Sequence, residues 1–284
     1  MKKVTVKASA TSANLGGGFD CLGLALKLYN GVTVEKSDRL VIESDVPAPT
    51  DASNLIYKSM NEVFRIAGVP DMPVKLTCRS DIPQASGLGS SAACIVCGVT
   101  AANALVGDIL SDKQTLELCV KLDGHPDNVL PALVGGVTAG VVTDGGVEYV
   151  RTVPHGIVCV AATPDFPLET KTARAVLPNA YSRADCVYSL SRAALVFGAF
   201  ATGKLDALKV MGDRLHEPYR IPLVKDFYKV SDALKDAGAL ATCLSGAGPT
   251  VLAFFKSRAN VSLPEHWTAR TLEINENPVE VTTL

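Results

Sequence analysis

The sequence lacks several features that would assign it to a broad class of proteins. Its 284 residues carry 27 Lys and Arg against 29 Asp and Glu, so the formal net charge is −2. Without a basic excess, a protein that coats nucleic acid is not expected, although a local anion site is compatible with this balance. The eight cysteines are scattered, which excludes a small disulfide-stabilised scaffold. Hydrophobic residues make up 48% of the chain, enough for a sizeable core.

Charge is also missing from one long segment, residues 82–107. A membrane-spanning helix needs about 20 mostly apolar residues. This segment opens with proline, glycine and serine, and only 92–106 has the composition of a continuous apolar helix. We therefore expect a buried helix behind a Gly/Ser loop, and no membrane span. The first residues hold two lysines with no apolar block behind them, so a cytoplasmic protein without a signal peptide is expected.

Strand and helix patterns alternate along the chain without a regular strand–helix–strand rhythm. This mixture favours an α+β fold over a doubly wound sheet. Helical spacing occurs at 54–67, 112–122, 184–202, 205–215 and 227–236. The pattern changes near residue 150, just beyond an Asp-Gly-Gly turn. We therefore predict two domains, 1–150 and 151–284.

The loop SGLGSSA at 86–92 lies between a predicted strand and the apolar helix. Glycine lets the backbone approach a ligand closely, and the helix start offers unpaired N–H groups and the positive end of its dipole. Together these features are typical of a phosphate site. A helix cap with a tight turn is the structural alternative. A second loop, SGAGPT at 245–250, is either a hairpin turn or a backbone segment that passes close to the first loop.

Other nucleotide and nucleophile motifs fit the sequence poorly. No GxxxxGK[ST] or GxSxG motif is present. Gly87, Gly89 and Ala92 satisfy GxGxxG/A, but that motif also needs an acidic residue at the end of the following strand. Asp108 has the distance but directly follows the helix, so a dehydrogenase is a weak alternative.

Three segments resemble motifs of the GHMP kinases, in that family's order and over nearly the whole chain. They are SATSANLGGGFDCLGLAL at 9–26, PQASGLGSSAA at 83–93 and CLSGAGPTVLAFF at 243–255. Further segments resemble the homoserine kinases within that family: GHPDNVLPALVGG at 124–136, ETKTARAVLP at 169–178 and HEPYR at 216–220. The resemblance implies ATP-dependent phosphorylation of the hydroxyl of L-homoserine. Another small-molecule kinase of this family, for mevalonate or a sugar, is one alternative, and a non-catalytic nucleotide-binding protein is another.

The resemblance also implies an architecture and a set of ligands. The N-terminal, ATP-binding domain is expected to be similar to domain 2 of ribosomal protein S5, and the C-terminal domain to be ferredoxin-like. ATP and Mg²⁺ are the implied cofactors, with L-homoserine as substrate. A homodimer is expected, and neither a nucleic-acid nor a membrane partner.

Residue roles carry over from the matching motifs. The implied ATP-binding residues are Asn54, Pro83, Gln84, Ala85, Ser86, Gly87, Leu88, Gly89, Ser90, Ser91, Ala92, Ala93, Gly246 and Gly248. Mg²⁺ would be held by Ser91 and Asp123. The family usually has a glutamate near this second position, and a turn role for Asp123 is the alternative. Asn54 has a structural alternative as well, as the N-cap of its helix.

The substrate is a zwitterion with a hydroxyl group, so its site needs a cation, an acid and polar groups. Arginine suits a carboxylate because its fork binds two oxygens. The implied substrate-binding residues are Asn14, Asp20, His125, Asp127, Asn128, Arg174 and Arg220. The implied catalytic residues are Asn14, Asp20, Asn128, Thr170 and Arg174. Surface ion pairs for the arginines, an N-cap for Asp127 or Asn128 and a polar turn for Asn14 are the structural alternatives.

Overall fold

The computed structural model describes residues 3–284 as an α+β protein with two sheets. The strands are β1 (Lys3–Ala13), β2 (Leu22–Lys36), β3 (Val41–Ser44), β4 (Val74–Ser80), β5 (Val137–Thr143), β6 (Gly146–Thr152), β7 (Val158–Pro164), β8 (Ala241–Leu244), β9 (Val251–Phe255), β10 (Trp267–Leu272) and β11 (Glu280–Thr283). The helices are α1 (Leu55–Ile66), α2 (Ser90–Val106), α3 (Asp112–Asp123), α4 (Pro126–Val134), α5 (Thr170–Ala175), α6 (Arg183–Thr202), α7 (Glu217–Arg220) and α8 (Phe227–Asp236).

The first sheet has the order β11-β1-β2-β4-β3, with β5 and β6 attached to the first half of β2. Strands β1 and β2 pair antiparallel along their length, with one register shift between Ser9 and Ala10. The alternating valines of β1, Val4 and Val6, are fully buried, as the period-two pattern predicts. Because β11 pairs with β1, the end of the chain returns to the first sheet. The predicted boundary at 150 lies within β6 and stays a prediction.

The apolar helix α2 packs against α1 and the first sheet, and most of its residues are buried. Its burial confirms that the uncharged segment supplies a core helix. Helices α1 and α2 approach closely at Gly98, where a Cβ atom would overlap the carbonyl oxygen of Ile56. The absence of a side chain at Gly98 therefore allows the two helices to pack closely. The Ser111 side chain caps α3 in a capping box with Gln114, as the sequence signal predicts.

The second sheet has the order β10-β7-β9-β8 and is antiparallel throughout. Its strands alternate between two hydrophobic clusters, as expected for a sheet buried on both faces. In β9, Leu252 and Phe254 join the cluster that includes Phe200 of α6, whereas Val251, Ala253 and Phe255 join the cluster formed with α8. The segment predicted as a helix at 205–215 is instead a 3₁₀ helix, Leu205–Val210, followed by irregular chain.

Within residues 3–284, α6 is the one helix whose length and composition would also allow it to cross a membrane. The core helix of a soluble protein can have the same length and composition. One side of α6 is buried against the core through Val196, Ala199 and Phe200, while Val187 and Leu190 are exposed.

Candidate active site

A cleft of about 570 Å³ opens between the Gly/Ser loop, the end of β1, the start of α4 and helix α5. The predicted site residues that line it are Asn14, Asp20, Ala85, Ser86, Gly87, Gly89, Ser90, Ser91, Ala92, Asp123, His125, Asp127, Asn128, Thr170, Arg174, Arg220 and Gly246. The predicted residues outside its lining are Asn54, Pro83, Gln84, Leu88, Ala93 and Gly248. Segments far apart in the sequence therefore meet in one place.

The carbonyl groups of residues 85–89 all face the scaffold. They accept hydrogen bonds, in chain order, from the amide of Leu168, the amide of Thr250, the hydroxyl of Ser245 and the amides of Thr11 and Ala93. The Ser86 hydroxyl donates to the Pro83 carbonyl, and Leu88 is buried in the core. The loop is thus fixed on its carbonyl side, and Pro83 and Leu88 support it from within.

The amide groups of the same loop have the opposite orientation. No hydrogen bond within residues 3–284 uses the N–H of Gly87, Gly89, Ser90 or Ser91. Gly89 is the N-cap of α2, and the first amides of a helix have no intrahelical acceptor. The cleft therefore contains unpaired N–H groups at the positive end of a helix dipole, which is an arrangement that binds anions.

The second Gly loop runs directly against the first. Gly87 has φ +84°, and a Cβ atom there would overlap the Ser245 carbonyl oxygen and lie 2.7 Å from the Gly248 oxygen. Two alternatives are compatible with the sequence of the second loop, a hairpin turn or a close approach to the first loop. The structure shows the close approach. Gly248 packs behind Gly87, which explains why it does not line the cleft.

A smaller pocket of about 270 Å³ adjoins the cleft at Ala85, Ser90 and Ser91. Asn54 and Gln84 both line this second pocket. Asn54 also caps α1, accepting from the amide of Ile56 at 2.9 Å and donating to the Pro49 carbonyl at 2.8 Å. The structural alternative for Asn54 is therefore observed, at a position beside the pocket.

Asp20, Arg174 and His125 form a polar cluster at one side of the cleft. The Arg174 guanidinium donates to both carboxylate oxygens of Asp20, at 2.8 and 3.3 Å. A third contact joins Arg174 Nη2 to Nδ1 of His125 at 3.2 Å. Burial lowers the pKa of His125, which the Asp20 charge partly offsets. The neutral imidazole can then accept from the arginine.

Arg220 is 1% exposed, and its guanidinium group is held by three acceptors. Nε donates to the Ala173 carbonyl at 3.2 Å, while Nη1 contacts the Gly246 carbonyl at 3.2 Å and His216 Nδ1 at 3.3 Å. Because Ala173 directly precedes Arg174, the two arginines are connected. Arg220 is buried and is held by neutral acceptors, so the alternative of a surface ion pair does not describe it. Arg174 does form an ion pair, with Asp20, at a half-exposed position in the cleft.

Asn14 and Gly246 join the loop that follows β1 to the second Gly loop, residues 245–250. The Asn14 side chain donates to the Gly246 carbonyl at 2.8 Å and accepts from the Asp20 amide at 3.0 Å. The Gly246 amide in turn donates to the Ala13 carbonyl. Both residues line the cleft, but their polar groups already have partners in the protein, so they hold the site together.

Asp127 is 2% exposed at the start of α4, and burial raises its pKa to about 7, with the nearby Asp20 and Asp123 charges acting in the same direction. Asn128 Nδ2 donates to it at 3.4 Å, and Asn128 Oδ1 accepts from the Thr11 hydroxyl at 2.9 Å. The structural alternative of a helix cap is not observed for Asp127, since the N-cap of α4 is His125.

We expect Asp127→Asn to stabilise the protein at alkaline pH. The folded-state pKa of Asp127 is raised above its unfolded value, so its contribution to unfolding free energy falls as pH rises from about 4 to about 7. Removing the buried charge should recover this loss, with an upper bound of about 4 kcal/mol. Urea unfolding at pH 8 and pH 4 checks this, with Asp112→Asn on the exposed start of α3 as control. An equal effect at both pH values would contradict it.

Ser91, Asp123 and Thr170 each place an oxygen donor at the cleft. Ser91 and Thr170 are exposed, and within residues 3–284 no hydrogen bond engages the Asp123 carboxylate. Burial raises the pKa of Asp123 to about 6. The described residues contain no cluster of three metal-ligating side chains. The cleft thus offers only a few protein oxygens beside an anion site. Such a site suits Mg²⁺, because this ion keeps several waters and is bound by one or two carboxylates together with substrate phosphates.

Sequence reasoning missed Lys171, Phe19 and His216. Lys171 is an exposed cation that lines the cleft beside Thr170, inside a segment already singled out. Phe19 lies next to Asp20, and its ring stacks on His216 with centroids 5.1 Å apart. The HEPYR segment pointed to His216, but only its arginine was assigned a role.

Family models match both halves of the chain. The model described as GHMP kinases N terminal domain matches residues 54–136, and GHMP kinases C terminal matches residues 196–263. A homoserine kinase from Moorella thermoacetica is 42% identical over 260 residues, covering 89% of this chain and 88% of that protein. One from Deinococcus radiodurans is 43% identical over 272 residues, covering 93% and 88%.

Solved structures agree with this match. The homoserine kinase of Cytophaga hutchinsonii has a TM-score of 0.86 at 27% identity, covering 99% of this chain and 97% of that one. A mevalonate diphosphate decarboxylase from Staphylococcus aureus has a TM-score of 0.72 at 16% identity, covering 99% of this chain and 98% of that one, and shows a shared fold only.

Proposed function

The chain belongs to the homoserine kinases of the GHMP kinase family, and from this premise we propose how its residues divide the work of the reaction. The protein is an ATP-dependent kinase that phosphorylates the side-chain hydroxyl of L-homoserine, giving O-phospho-L-homoserine for threonine biosynthesis. The observation that carries the assignment of the site is the cleft in which an anion-binding loop faces two arginines and the acids Asp20 and Asp127.

The Gly/Ser loop holds the β- and γ-phosphates of ATP through its unpaired amides. The adjoining apolar pocket, which contains Asn54 and Gln84 and shares Ser90 and Ser91 with the cleft, takes the base. This division is supported by the size and lining of the two spaces. An apolar pocket suits an aromatic ring, while a helix start with free N–H groups suits phosphate. Leu88, Ala93 and Gly248 act by supporting the loop.

Ser91 and Asp123 would hold Mg²⁺ beside the phosphates. Their oxygens have no competing hydrogen bond within residues 3–284, and hard oxygen donors are the ligands that this ion prefers. When bound, Mg²⁺ neutralises charge on the transferring phosphoryl group. The shorter side chain of Asp123, where the family usually has glutamate, is compatible with ligation through a water molecule.

L-homoserine is held by its two charged groups. Arg174 and Arg220 face its carboxylate, while Asp20 and Asp127 face its ammonium group. His125, Asn14 and Asn128 order this side of the cleft through their hydrogen bonds to Arg174, Asp20 and Asp127. Thr170 and Lys171 lie where α5 begins, so they border the path between the acceptor hydroxyl and the phosphates.

Phosphoryl transfer depends mainly on positioning and on charge stabilisation. No group in the cleft is assigned as a general base. The carboxylates of Asp20 and Asp127 are occupied with orienting the ammonium group, and the loop amides stabilise the charge that develops on the phosphate oxygens. Arg174 fixes Asp20 and thereby the distance between the substrate and the loop.

The acceptor preference is tested by ADP release with L-homoserine, mevalonate, D-galactose or no acceptor. Turnover with L-homoserine and background rates with the others are expected. Mevalonate has a carboxylate but no ammonium group, so it leaves Asp20 and Asp127 without a partner. Galactose has neither group, so it leaves the arginines without a partner as well. Faster turnover with mevalonate or galactose would contradict the proposed function.

We expect Asp123→Ala to raise the Mg²⁺ concentration needed for half-maximal activity about tenfold, with kcat at saturating Mg²⁺ changing less. Loss of a metal-ligating or outer-shell group costs about 10–100-fold in affinity in comparable sites. Mg²⁺ titrations at fixed ATP measure the effect, with Asp108→Ala as control because Asp108 follows α2 at its distant end. An unchanged titration would leave Asp123 as a turn residue.

The assembly and location are part of the same proposal. We propose a homodimer that works in the cytoplasm on small molecules, with no nucleic-acid or membrane partner. The exposed apolar side chains of α6 and of the β5–β6 hairpin, among them Val187, Leu190 and Val150, support an interface between copies. The two-domain division at residue 150 also belongs to this proposal.

A further inference from the structure

His216 is a fully buried titratable group near the cleft that the reaction does not use directly. Its side chain is 0% exposed. Nε2 lies 3.0 Å from the Gly16 carbonyl, and Nδ1 lies 3.3 Å from Nη1 of Arg220. A guanidinium can only donate, so Nδ1 accepts and Nε2 carries the proton that is donated to Gly16. The contacts assign one tautomer of a neutral imidazole.

The surroundings hold this ring from two further sides. Phe19 stacks on it with an interplanar angle of 21°. The backbone of His216 is fixed by Asp213. The Asp213 carboxylate accepts hydrogen bonds from the amides of Leu215, His216 and Glu217 and from the Ser189 hydroxyl. Burial lowers the pKa of His216 to about 4, even though the Asp213 carboxylate, 3.7 Å from Nε2, acts to raise it, so the ring stays neutral at physiological pH. Protonation would place a second positive charge against Arg220.

These contacts complete a closed cycle of interactions that includes both arginines. Asp20 pairs with Arg174, and Ala173, the residue before it, accepts from Arg220. Arg220 contacts His216, and His216 returns to the loop of residues 16–20 through Gly16 and Phe19. His216 therefore links the loop of residues 16–20, which carries Asp20, to Arg220.

We propose that His216 is a positioning residue that, through Nδ1, sets the orientation of Arg220 relative to Arg174 and so determines recognition of the substrate carboxylate. This proposal rests on the proposed function, because it takes the arginines to face that carboxylate. His216 does not touch the substrate. Its two nitrogen atoms have separate tasks: Nδ1 orients Arg220, and Nε2 anchors the loop.

Two substitutions separate these tasks. The side-chain oxygen of asparagine corresponds to Nδ1, so His216→Asn retains an acceptor for Arg220. The terminal amide of glutamine corresponds to Nε2, so His216→Gln retains a donor for Gly16. We expect His216→Gln to raise KM for L-homoserine at least tenfold, with KM for ATP within twofold of wild type. His216→Asn should raise KM for L-homoserine less than threefold. Equal KM changes in the two variants, or changes that follow their melting temperatures, would overturn the proposal.

A measurement on the unaltered protein makes the test independent of variant folding. Side-chain ¹⁵N NMR should show His216 as the neutral Nε2–H tautomer, unchanged down to about pH 5. Its signals are identified by elimination with variants of the exposed or half-exposed His125, His155 and His266. A Nδ1–H tautomer, or a charged ring at pH 7, would overturn the proposal. If wild-type protein does not phosphorylate L-homoserine at all, the proposed function fails, whereas turnover with the wrong tautomer refutes only the role of His216.

Discussion

Gly87→Ala is expected to reduce kcat/KM for ATP by about 10²–10³-fold and to destabilise the fold. Gly87 has φ +84°, a region that costs an L-residue about 1–2 kcal/mol. The new methyl group would also overlap the Ser245 carbonyl and press on Gly248. Overpacking of this kind typically costs about 1–3 kcal/mol. Backbone on both sides must move, so the amides that face the phosphates lose their alignment, and losing one preorganised donor costs about 10²–10³ in kcat in related chemistry.

Gly107→Ala is the matched control for this prediction. Gly107 also has a positive φ, +99°, but nothing lies within 4 Å of a methyl group added at that position. It ends the same helix, so the backbone cost is similar while the phosphate loop is unaffected. Steady-state kinetics and thermal melting of both variants measure the difference. Equal melting temperatures with equal loss of activity would show that the Gly87 effect is global destabilisation rather than distortion of the loop.

The phosphate loop could be predicted from the sequence because its signal is local. Glycines, serines and a following apolar helix determine turn, dipole and amide exposure within one short segment. The capped start of α3 and the burial of α2 follow from equally local rules. In contrast, 205–215 has helical spacing but forms only one 3₁₀ helix, in which Leu205 and Leu208 are buried. The helix does not continue because the Asp213 carboxylate binds the amides of Leu215, His216 and Glu217 at the start of α7.

Contacts between distant segments could not be read from the sequence. The support of the Gly87 carbonyl by the Ser245 hydroxyl joins residues 158 positions apart, and Asn14 reaches Gly246 across 232 positions. Such pairs depend on how two sheets meet, which no periodicity encodes. The same holds for His216, whose role depends on Gly16 across 200 positions. The motif located the residue but not its partner.

Arg174→Ala is expected to reduce kcat/KM for L-homoserine by about 10²–10³-fold, mostly through KM, with KM for ATP changed less than threefold. The arginine fork would otherwise bind the carboxylate and hold Asp20 at 2.8 Å. Truncating one member of a desolvated charge pair costs about 2–5 kcal/mol of binding. The pair with Asp20 is partly open to solvent, so the loss of folding stability should be about 1 kcal/mol or less. Arg174→Lys should give an intermediate loss, since it keeps the charge without the fork.

Arg258→Ala serves as the control, because Arg258 is an exposed arginine whose contact with Glu273 is 3.9 Å long. A truncated substrate makes the test specific. 3-Amino-1-propanol has the ammonium and hydroxyl groups of homoserine but no carboxylate, so it should be a poor acceptor for the wild type. If Arg174 binds the carboxylate, Arg174→Ala should reduce kcat/KM for this amino alcohol only slightly. An equal fold-loss with both acceptors would show that Arg174 acts by holding Asp20 in place, and that Arg220 alone receives the carboxylate.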